Sequence, residues 1–183
     1  MGIPTLIKTQ TASNSASLDF VDGTSDVVFD STYDEYMFVF TDVNPATDDA
    51  SFRFQCSIDS GSNYNVTTTS TFFKAEHNED DSASELAYES GNDQAQGTSY
   101  QDLASGVGNG SDESLAGVLH LFSPASTTYV KHYYSTFSTY NSVNRERAAY
   151  VAGYFNNTND IDAISFKMSS GNFDGVIQMY GIS

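Results

Sequence analysis

Apolar and polar residues alternate strictly along several segments of the chain, most clearly in 51–58 (SFRFQCSI). One phase of that segment holds four apolar residues, Phe52, Phe54, Cys56 and Ile58. A period of two places one side of a strand in a core and the other side in water. We therefore expect these four side chains to face a core, together with Phe38, Phe40, Ile164, Phe166 and Met168.

Similar segments recur along most of the chain, and turn signals such as Asp22-Gly23 and Asn44-Pro45 separate them. The predicted strands are 5–10, 15–21, 33–43, 51–58, 64–74, 114–122, 128–139, 147–155, 161–168 and 176–182. Strands of this length, with almost no helical period, predict an all-β protein. We expect an antiparallel two-sheet β-sandwich, jelly-roll-like, that forms a single domain over residues 1–183.

The segments 114–122 and 128–139 predict a hairpin joined through a turn that contains Pro124. If the turn is centred on Ser126, His120 lies opposite His132, with the two Cβ atoms about 4.5–5.5 Å apart. Two protonated imidazoles at that separation repel each other. This register therefore predicts a hairpin that loosens below about pH 6.

Residues 76–113 depart from the strand pattern, since they contain ten acidic residues and no lysine or arginine. Within them, 82–89 offers Leu86 and Tyr88 as apolar contacts for one or two helical turns. Carboxylates without a base cannot share a dry core, because their repulsion grows in a low dielectric. We expect a solvated excursion outside the main sheets, of the kind in which function is often found.

The charge balance is strongly acidic: 24 acidic residues against seven lysines and arginines give a net charge of −17. This balance disfavours binding to nucleic acid or to an anionic membrane. Met1 is followed by Gly-Ile-Pro-Thr, which resembles no signal peptide, and no apolar run approaches the length of a membrane span. Cys56 is the single cysteine and cannot form an intrachain disulfide. We expect folding in a reducing cytoplasm.

No catalytic constellation stands out, and we expect neither enzymatic activity nor a cofactor or metal site. The glycines of 106–110 lack the lysine of a phosphate loop, so we expect a flexible loop there. The acidic groups in 79–85 and 156–162 match no known calcium-loop spacing, although calcium binding by the acidic segment stays open. Three histidines without partner cysteines are too few for a structural zinc site.

Tyrosines cluster in the last third of the chain. Exposed tyrosines stack on sugars or anchor protein interfaces, but tyrosine is also a favoured strand residue, and both interpretations stay open. The interface candidates are Tyr129, Tyr133, Tyr150 and Tyr154, which we expect at one end of the sandwich, with Ile3, Pro4 and Leu6 near the N-terminus.

Three stretches of sequence are familiar. They are KTQTASNSASLDF at 8–20, DSTYDEYMFVF at 30–40 with NPATD at 44–48, and AISFKMSSGNFDG at 163–175 with MYGI at 179–182. Together they resemble a group of small β-sandwich virion structural proteins of tailed bacteriophages, frequent in marine phages. The resemblance is strong at both ends of the chain and weak in 75–117.

The resemblance implies a β-sandwich displayed on the exterior of a virus particle and synthesised in the host cytoplasm. It implies a capsid decoration (cement) protein that stabilises neighbouring capsid subunits, or a tail-fibre, receptor-binding module. The self-contained domain without a stalk favours decoration. The implied partners are the major capsid protein or other virion proteins, and the implied assembly is a homo-oligomer, often a trimer. A carbohydrate-binding module is the competing interpretation, so a glycan stays open as a ligand.

Overall fold

The computed structural model describes residues 2–183, which form twelve strands in two antiparallel sheets. The strands are β1 (Thr5–Ser15), β2 (Leu18–Val21), β3 (Glu35–Pro45), β4 (Ala50–Ser57), β5 (Thr68–Asn78), β6 (Ser84–Tyr88), β7 (Gln101–Val107), β8 (Leu115–Phe122), β9 (Lys131–Tyr140), β10 (Arg145–Phe155), β11 (Ala163–Met168) and β12 (Phe173–Ile182). The predicted all-β, two-sheet antiparallel sandwich is confirmed.

The two sheets are unequal in size. One has eight strands in the order β1-β12-β3-β8-β9-β10-β5-β6, and the other has four in the order β2-β11-β4-β7. This arrangement does not confirm the jelly-roll form. Since the sandwich has two sheets, the larger sheet faces the core on one side only. Its other side has no covering sheet.

The core lies between the sheets and consists largely of aromatic rings, some of which meet edge to face and some of which stack. Phe166 of β11 packs against Phe40 of β3 and Phe54 of β4, with ring centroids 5.0 and 6.4 Å apart. All the side chains predicted to face the core are buried, except Ile58, which is only partly buried and packs against the core edge. The alternation of the sequence therefore gives the correct phase for β3, β4 and β11.

Burial also raises the pKa of the Cys56 thiol well above its ordinary value.

The prediction that 76–113 lies outside the main sheets is wrong. Residues 84–88 form β6, which pairs with β5 at the edge of the larger sheet, so the predicted helical turns are absent there. Residues 101–107 form β7, which pairs with β4 and buries Leu103 completely. The strand includes part of the glycine-rich stretch expected to be a flexible loop. The connecting residues of this segment are solvated as predicted, and so are most residues of β6.

Two carboxylates of the segment are buried because bases on β4, β5 and β10 neutralise them. Glu76 accepts a hydrogen bond from Arg147 of β10 and contacts Lys74 and Arg145 at 3.3 and 3.5 Å. Asp102 of β7 accepts a hydrogen bond from Arg53 of β4. The segment has no base of its own, but antiparallel pairing supplies bases from neighbouring strands.

Arg147 also joins the two sheets, since its Nη1 donates to the carbonyl oxygen of Ser105 in β7 at 2.6 Å. The neighbouring Gly106 has φ +69°, and a Cβ there would lie 2.8 Å from Arg147 Nη1. Glycine is therefore required at this position both by its backbone conformation and by the space that the guanidinium occupies.

The β8–β9 hairpin is present, but the predicted register is wrong. His120 lies opposite Tyr134, and His132 lies opposite Tyr154 on the other neighbouring strand. The connection between β8 and β9 is longer than a tight turn centred on Ser126, and the pairing shifts by two residues. The two imidazoles are not paired, so the expected loosening of the hairpin at low pH has no basis in the structure.

Candidate functional site

The side of the eight-stranded sheet that faces away from the core, here called the outer face, presents side chains in rows that run across the strands. The first row is Leu6, Tyr180, Met37, His120, Tyr134, Ala152 and Thr71. The second row is Thr9, Gln178, Val39, Val118, Thr136, Tyr150, Phe73 and Tyr88. A third row covers five strands with Ala116, Ser138, Ala148, Ala75 and Leu86.

These three rows contain no aspartate, glutamate, lysine or arginine, although 17% of the residues in the chain are charged. They are called the uncharged strip below. The strip is bordered by Glu35 on β3 and by Glu146 on β10, each one row beyond it. With strands about 4.8 Å apart and same-face residues about 6.8 Å apart, the strip covers about 650 Å² of sheet. That area is close to the roughly 800 Å² that each partner contributes to a standard protein interface.

Several large side chains of the strip are exposed to solvent. The exposed fractions are 37% for Tyr150, 42% for Phe73, 45% for Tyr134, 55% for Tyr88 and 75% for Leu86. Phe73 and Tyr150 stack with their planes 10° apart and their centroids 4.9 Å apart. Tyr134 stacks on His120 in the same way, with centroids 4.6 Å apart. Such pairs hold the rings upright on the sheet, where they lose little further freedom on binding.

A shallow groove of about 430 Å³ lies at one end of the strip. Its walls include Tyr134, Tyr154, His132 and Phe122, and its floor includes the small residue Ala152. A second groove shares Phe122 and His132 with the first and adds a further aromatic residue, Tyr129. The aromatic surface therefore continues beyond Lys131, the first residue of β9, into the loop that precedes this strand.

Four of the predicted interface residues lie in the uncharged strip or beside its grooves. Tyr150 belongs to the uncharged strip, Tyr154 lines the first groove, and Tyr129 is 74% exposed in the β8–β9 connection. Leu6 lies in the first row, but four strands away from Tyr134, or about 19 Å. The exposed aromatic residues thus lie on a face of the sandwich, and the predicted location at one end is wrong.

The two remaining N-terminal candidates, Ile3 and Pro4, precede β1 and are exposed, with Ile3 89% accessible. They lie near the edge strand of the larger sheet. The structure does not bring them together with the tyrosines.

Tyr133 is wrong as an interface candidate, because it is only 2% exposed. Its ring packs edge to face on Phe54 at 5.0 Å, and its hydroxyl lies 2.9 Å from Thr68 Oγ1. Burial raises the pKa of this phenol well above its ordinary value. Tyr133 shares its strand phase with Phe137, which also faces the core, so the neighbouring residue Tyr134 is the one on the outer face.

The sequence analysis missed Phe73, Tyr134 and Tyr88 as surface residues. The dipeptides Phe72-Phe73 and Tyr133-Tyr134 contain a usable signal, because adjacent strand residues point to opposite sides of a sheet. One ring of each pair must therefore face away from the core. Tyr88 carries no comparable signal, since it lies in the segment expected to be a solvated excursion outside the main sheets.

Among residues 2–183, no group of three or more histidine, cysteine, aspartate or glutamate side chains is placed to hold a metal ion. The same residues include no helix with the length and apolar character needed to cross a bilayer. Comparison of the chain with protein-family models, with curated proteins and with solved structures finds no match.

Proposed function

We propose that the chain is a non-enzymatic structural protein of a phage virion, a capsid decoration protein that attaches to the particle through its outer face. The observation that carries the proposal is the uncharged strip with its upright aromatic rings. It occurs on a molecule whose net charge is −17. The sequence resemblance to phage virion proteins supports the choice of partner, which is the major capsid protein or another virion protein.

The composition of the strip is that of an interface centre. Interface centres are depleted in charged residues and enriched in tyrosine and phenylalanine, whereas the solvated side of an antiparallel sheet is normally polar. Monomeric proteins seldom expose contiguous apolar patches larger than several hundred Å² unless the patch has a partner. The bordering acids Glu35 and Glu146 pair with two polar side chains of the strip, His120 and Ser138, and add charge at its margins that favours solubility of the free protein.

Attachment through the face is favoured over strand addition at a sheet edge. The exposed edge strand β1 has register irregularities between Leu6 and Lys8 and between Ala12 and Ser15. Bulges of this kind distort an edge and impede pairing with another chain. The other edge, β6, has only five residues. Neither edge offers a long regular ladder of free backbone groups.

The proposal is tested by adding purified protein to particles that lack it and measuring occupancy by quantitative mass spectrometry. Phe73→Ser with Tyr150→Ser should reduce occupancy at least tenfold, since central aromatic anchors contribute about 2 kcal/mol or more each. Val143→Ser is the matched control, because Val143 is 58% exposed in the β9–β10 turn, outside the strip.

Equal occupancy of the double variant and the control would contradict attachment through the outer face. Protein that binds no capsid but binds the surface of host cells would overturn the decoration role. It would favour the tail-fibre, receptor-binding function.

A further inference from the structure

A polar pocket lies on the other sheet, on the side of the molecule opposite the outer face. It has a volume of about 340 Å³, and its lining includes Arg53, Asn92, Asp93, Gln94, Tyr100 and Asp102. Arg53 alternates along β4 with Phe52 and Phe54, which face the core, so its side chain points to the outer side of the four-stranded sheet. The volume is within the roughly 300–1,000 Å³ of small-ligand sites.

Buried hydrogen bonds hold the pocket in place. The Asp102 carboxylate, on a residue only 7% exposed, accepts hydrogen bonds from Arg53 Nε and from Asn92 Nδ2, the second at 2.6 Å. Gln101, 1% exposed, donates from Nε2 to the backbone oxygen of Asn92 at 2.8 Å. Burial raises the pKa of Asp102, and the Arg53 charge opposes that shift. The positions of the Arg53 and Asn92 side chains are thus fixed before any ligand arrives.

The fixed side chains keep hydrogen-bonding groups that no other residue within 2–183 uses. Arg53 donates from Nε only, so both Nη groups remain without a protein acceptor, and its side chain is 35% exposed. Asn92 donates from Nδ2, while its Oδ1 accepts no hydrogen bond from the described residues. Gln94 donates from Nε2 to Ser99 at 2.9 Å, and its Oε1 is likewise unused. The lining therefore combines free donors with free acceptors.

The charges of the pocket indicate the class of ligand. Two carboxylates, Asp93 and Asp102, are balanced by Arg53 and by Lys167, the residue paired with Arg53 on β11, so the local charges nearly cancel. The chain as a whole carries −17, which disfavours an anion. The guanidinium disfavours a cation. A neutral ligand rich in hydroxyl groups suits the site, since each hydroxyl both donates and accepts. Tyr100 adds an aromatic ring to the lining, and the Lys167 ammonium covers one face of that ring, with Nζ 4.2 Å from its centre. The other face is of the kind that packs against the apolar face of a sugar ring.

We propose that the pocket formed by Arg53, Asn92, Asp102 and Tyr100 binds a neutral saccharide. The site is independent of the docking function proposed above, because it lies on the opposite sheet and requires no particle. A protein attached through its outer face would present this pocket to the solution.

The test is a titration of the full, isotopically labelled chain with galactose, glucose, mannose and N-acetylglucosamine, each to about 100 mM, followed by ¹H–¹⁵N NMR. At least one sugar should shift the amide signals of Asn92, Gln94 and Tyr100, with millimolar affinity typical of a single small ligand. N-acetylneuraminic acid, the anionic comparison, should produce no shift at these residues.

Two variants localise the binding. Arg53→Lys keeps a positive charge beside Asp102 but loses the planar guanidinium with its several donors. Asn92→Ala removes the side-chain amide. Each variant should weaken the affinity for the sugar at least tenfold. Asn109→Ala is the matched control, since Asn109 is exposed in a different loop. Spectra of the free variants establish that each one folds.

The absence of shifts with all four sugars would overturn the proposal. Shifts confined to the outer-face groove at Tyr134 and Tyr154, or binding that both variants retain, would also overturn it. The sugar titration contains no capsid, so a negative result does not affect the proposal that the protein attaches to particles. Likewise, a failure to bind particles does not affect the proposal that the pocket binds a saccharide.

Discussion

At the scale of single residues, the phase of each strand decides which aromatic rings stabilise the fold and which are available for contact. Phe72 is fully buried, whereas its neighbour Phe73 is 42% exposed on the outer face. Tyr133 and Tyr134 divide in the same way. The two rings of each pair have the same local sequence context but different roles, because successive strand residues face opposite sides of the sheet.

The first prediction compares two phenylalanines. Phe54 is fully buried and contacts Tyr133 and Phe155, so Phe54→Ala should lower the free energy of unfolding by about 3–5 kcal/mol. Phe73→Ala should cost about 1 kcal/mol, since it loses mainly the stacking on Tyr150. Urea denaturation measures both values. Equal losses would show that the strand phase of Phe54 or of Phe73 is assigned wrongly.

Glu76 is a buried carboxylate at the centre of a cluster of bases. Only 6% of it is exposed, and three bases surround it. Burial alone would raise its pKa, but the hydrogen bond and charge of Arg147, with a contribution from Lys74, outweigh burial and hold the pKa below its ordinary value of 4.5. The stabilisation is therefore complete above that value and is lost as the pH falls through the lower folded-state pKa.

The second prediction follows from this shift. Glu76→Gln should destabilise the protein by about 3–5 kcal/mol at neutral pH, because it leaves three buried or half-buried bases without their common partner. It should also remove part of the stability loss seen as the pH falls below 4.5. Glu85→Gln is the control, since the Glu85 side chain is 56% exposed and lies 4.0 Å from Lys74. Identical pH profiles for the two variants would contradict this role for Glu76.

At the scale of elements, strands with strict alternation were predictable, whereas the edge strands β6 and β7 were not. The pattern of 51–58 was sufficient to place β4, because its apolar phase is unbroken. In β6 (SELAY), only Leu86, Ala87 and Tyr88 are apolar, and pairing with β5 determines its conformation. The bases that accommodate Glu76 and Asp102 lie on β5, β10 and β4. Their proximity depends on the sheet order, which local pattern does not specify.

The uncharged strip could not be predicted from the local sequence pattern either. Its rows join residues from eight strands scattered from β1 to β12, and only the strand order places them side by side. Tyr150 was recognisable as a candidate from its residue type alone. The absence of charge around it becomes visible only across strands.

The third prediction concerns the edge strand β6. Its residues are mostly exposed and pair with one neighbour, whereas β9 pairs on both sides within the larger sheet. Amide hydrogens of β6 should therefore exchange at least about tenfold faster than those of β9, since local opening there costs less free energy. Hydrogen-exchange mass spectrometry of peptides from 84–88 and 131–140 makes the measurement. Equal protection would contradict an edge position for β6.

At the scale of the whole molecule, the few bases are used internally and the surface is left acidic. Four of the seven bases contact Glu76 or Asp102, and buried Lys131 donates to the backbone oxygens of Asn157 and Asn159. Most of the 24 carboxylates therefore have no basic partner. Repulsion among them opposes the compact state, and the uncharged strip interrupts this surface.

The fourth prediction tests that repulsion. Raising NaCl from 20 to 500 mM should increase Tm by about 2–4 °C, which corresponds to about 1 kcal/mol of relieved repulsion for a domain of this size. KCl at the same concentration should act equally, because screening does not depend on which monovalent cation is present. A fall in Tm with salt would indicate that the ion pairs around Glu76 and Asp102 outweigh the surface repulsion.

The most direct test of the central claim is a cryo-electron microscopy reconstruction of the virus particle that carries this protein. Attachment through the outer face predicts density for the sandwich on the capsid exterior, with Phe73, Tyr134 and Tyr150 buried against neighbouring subunits. It also predicts that the four-stranded sheet faces the solution. Density in which the outer face points away from the particle, or location of the protein on the tail alone, would contradict it.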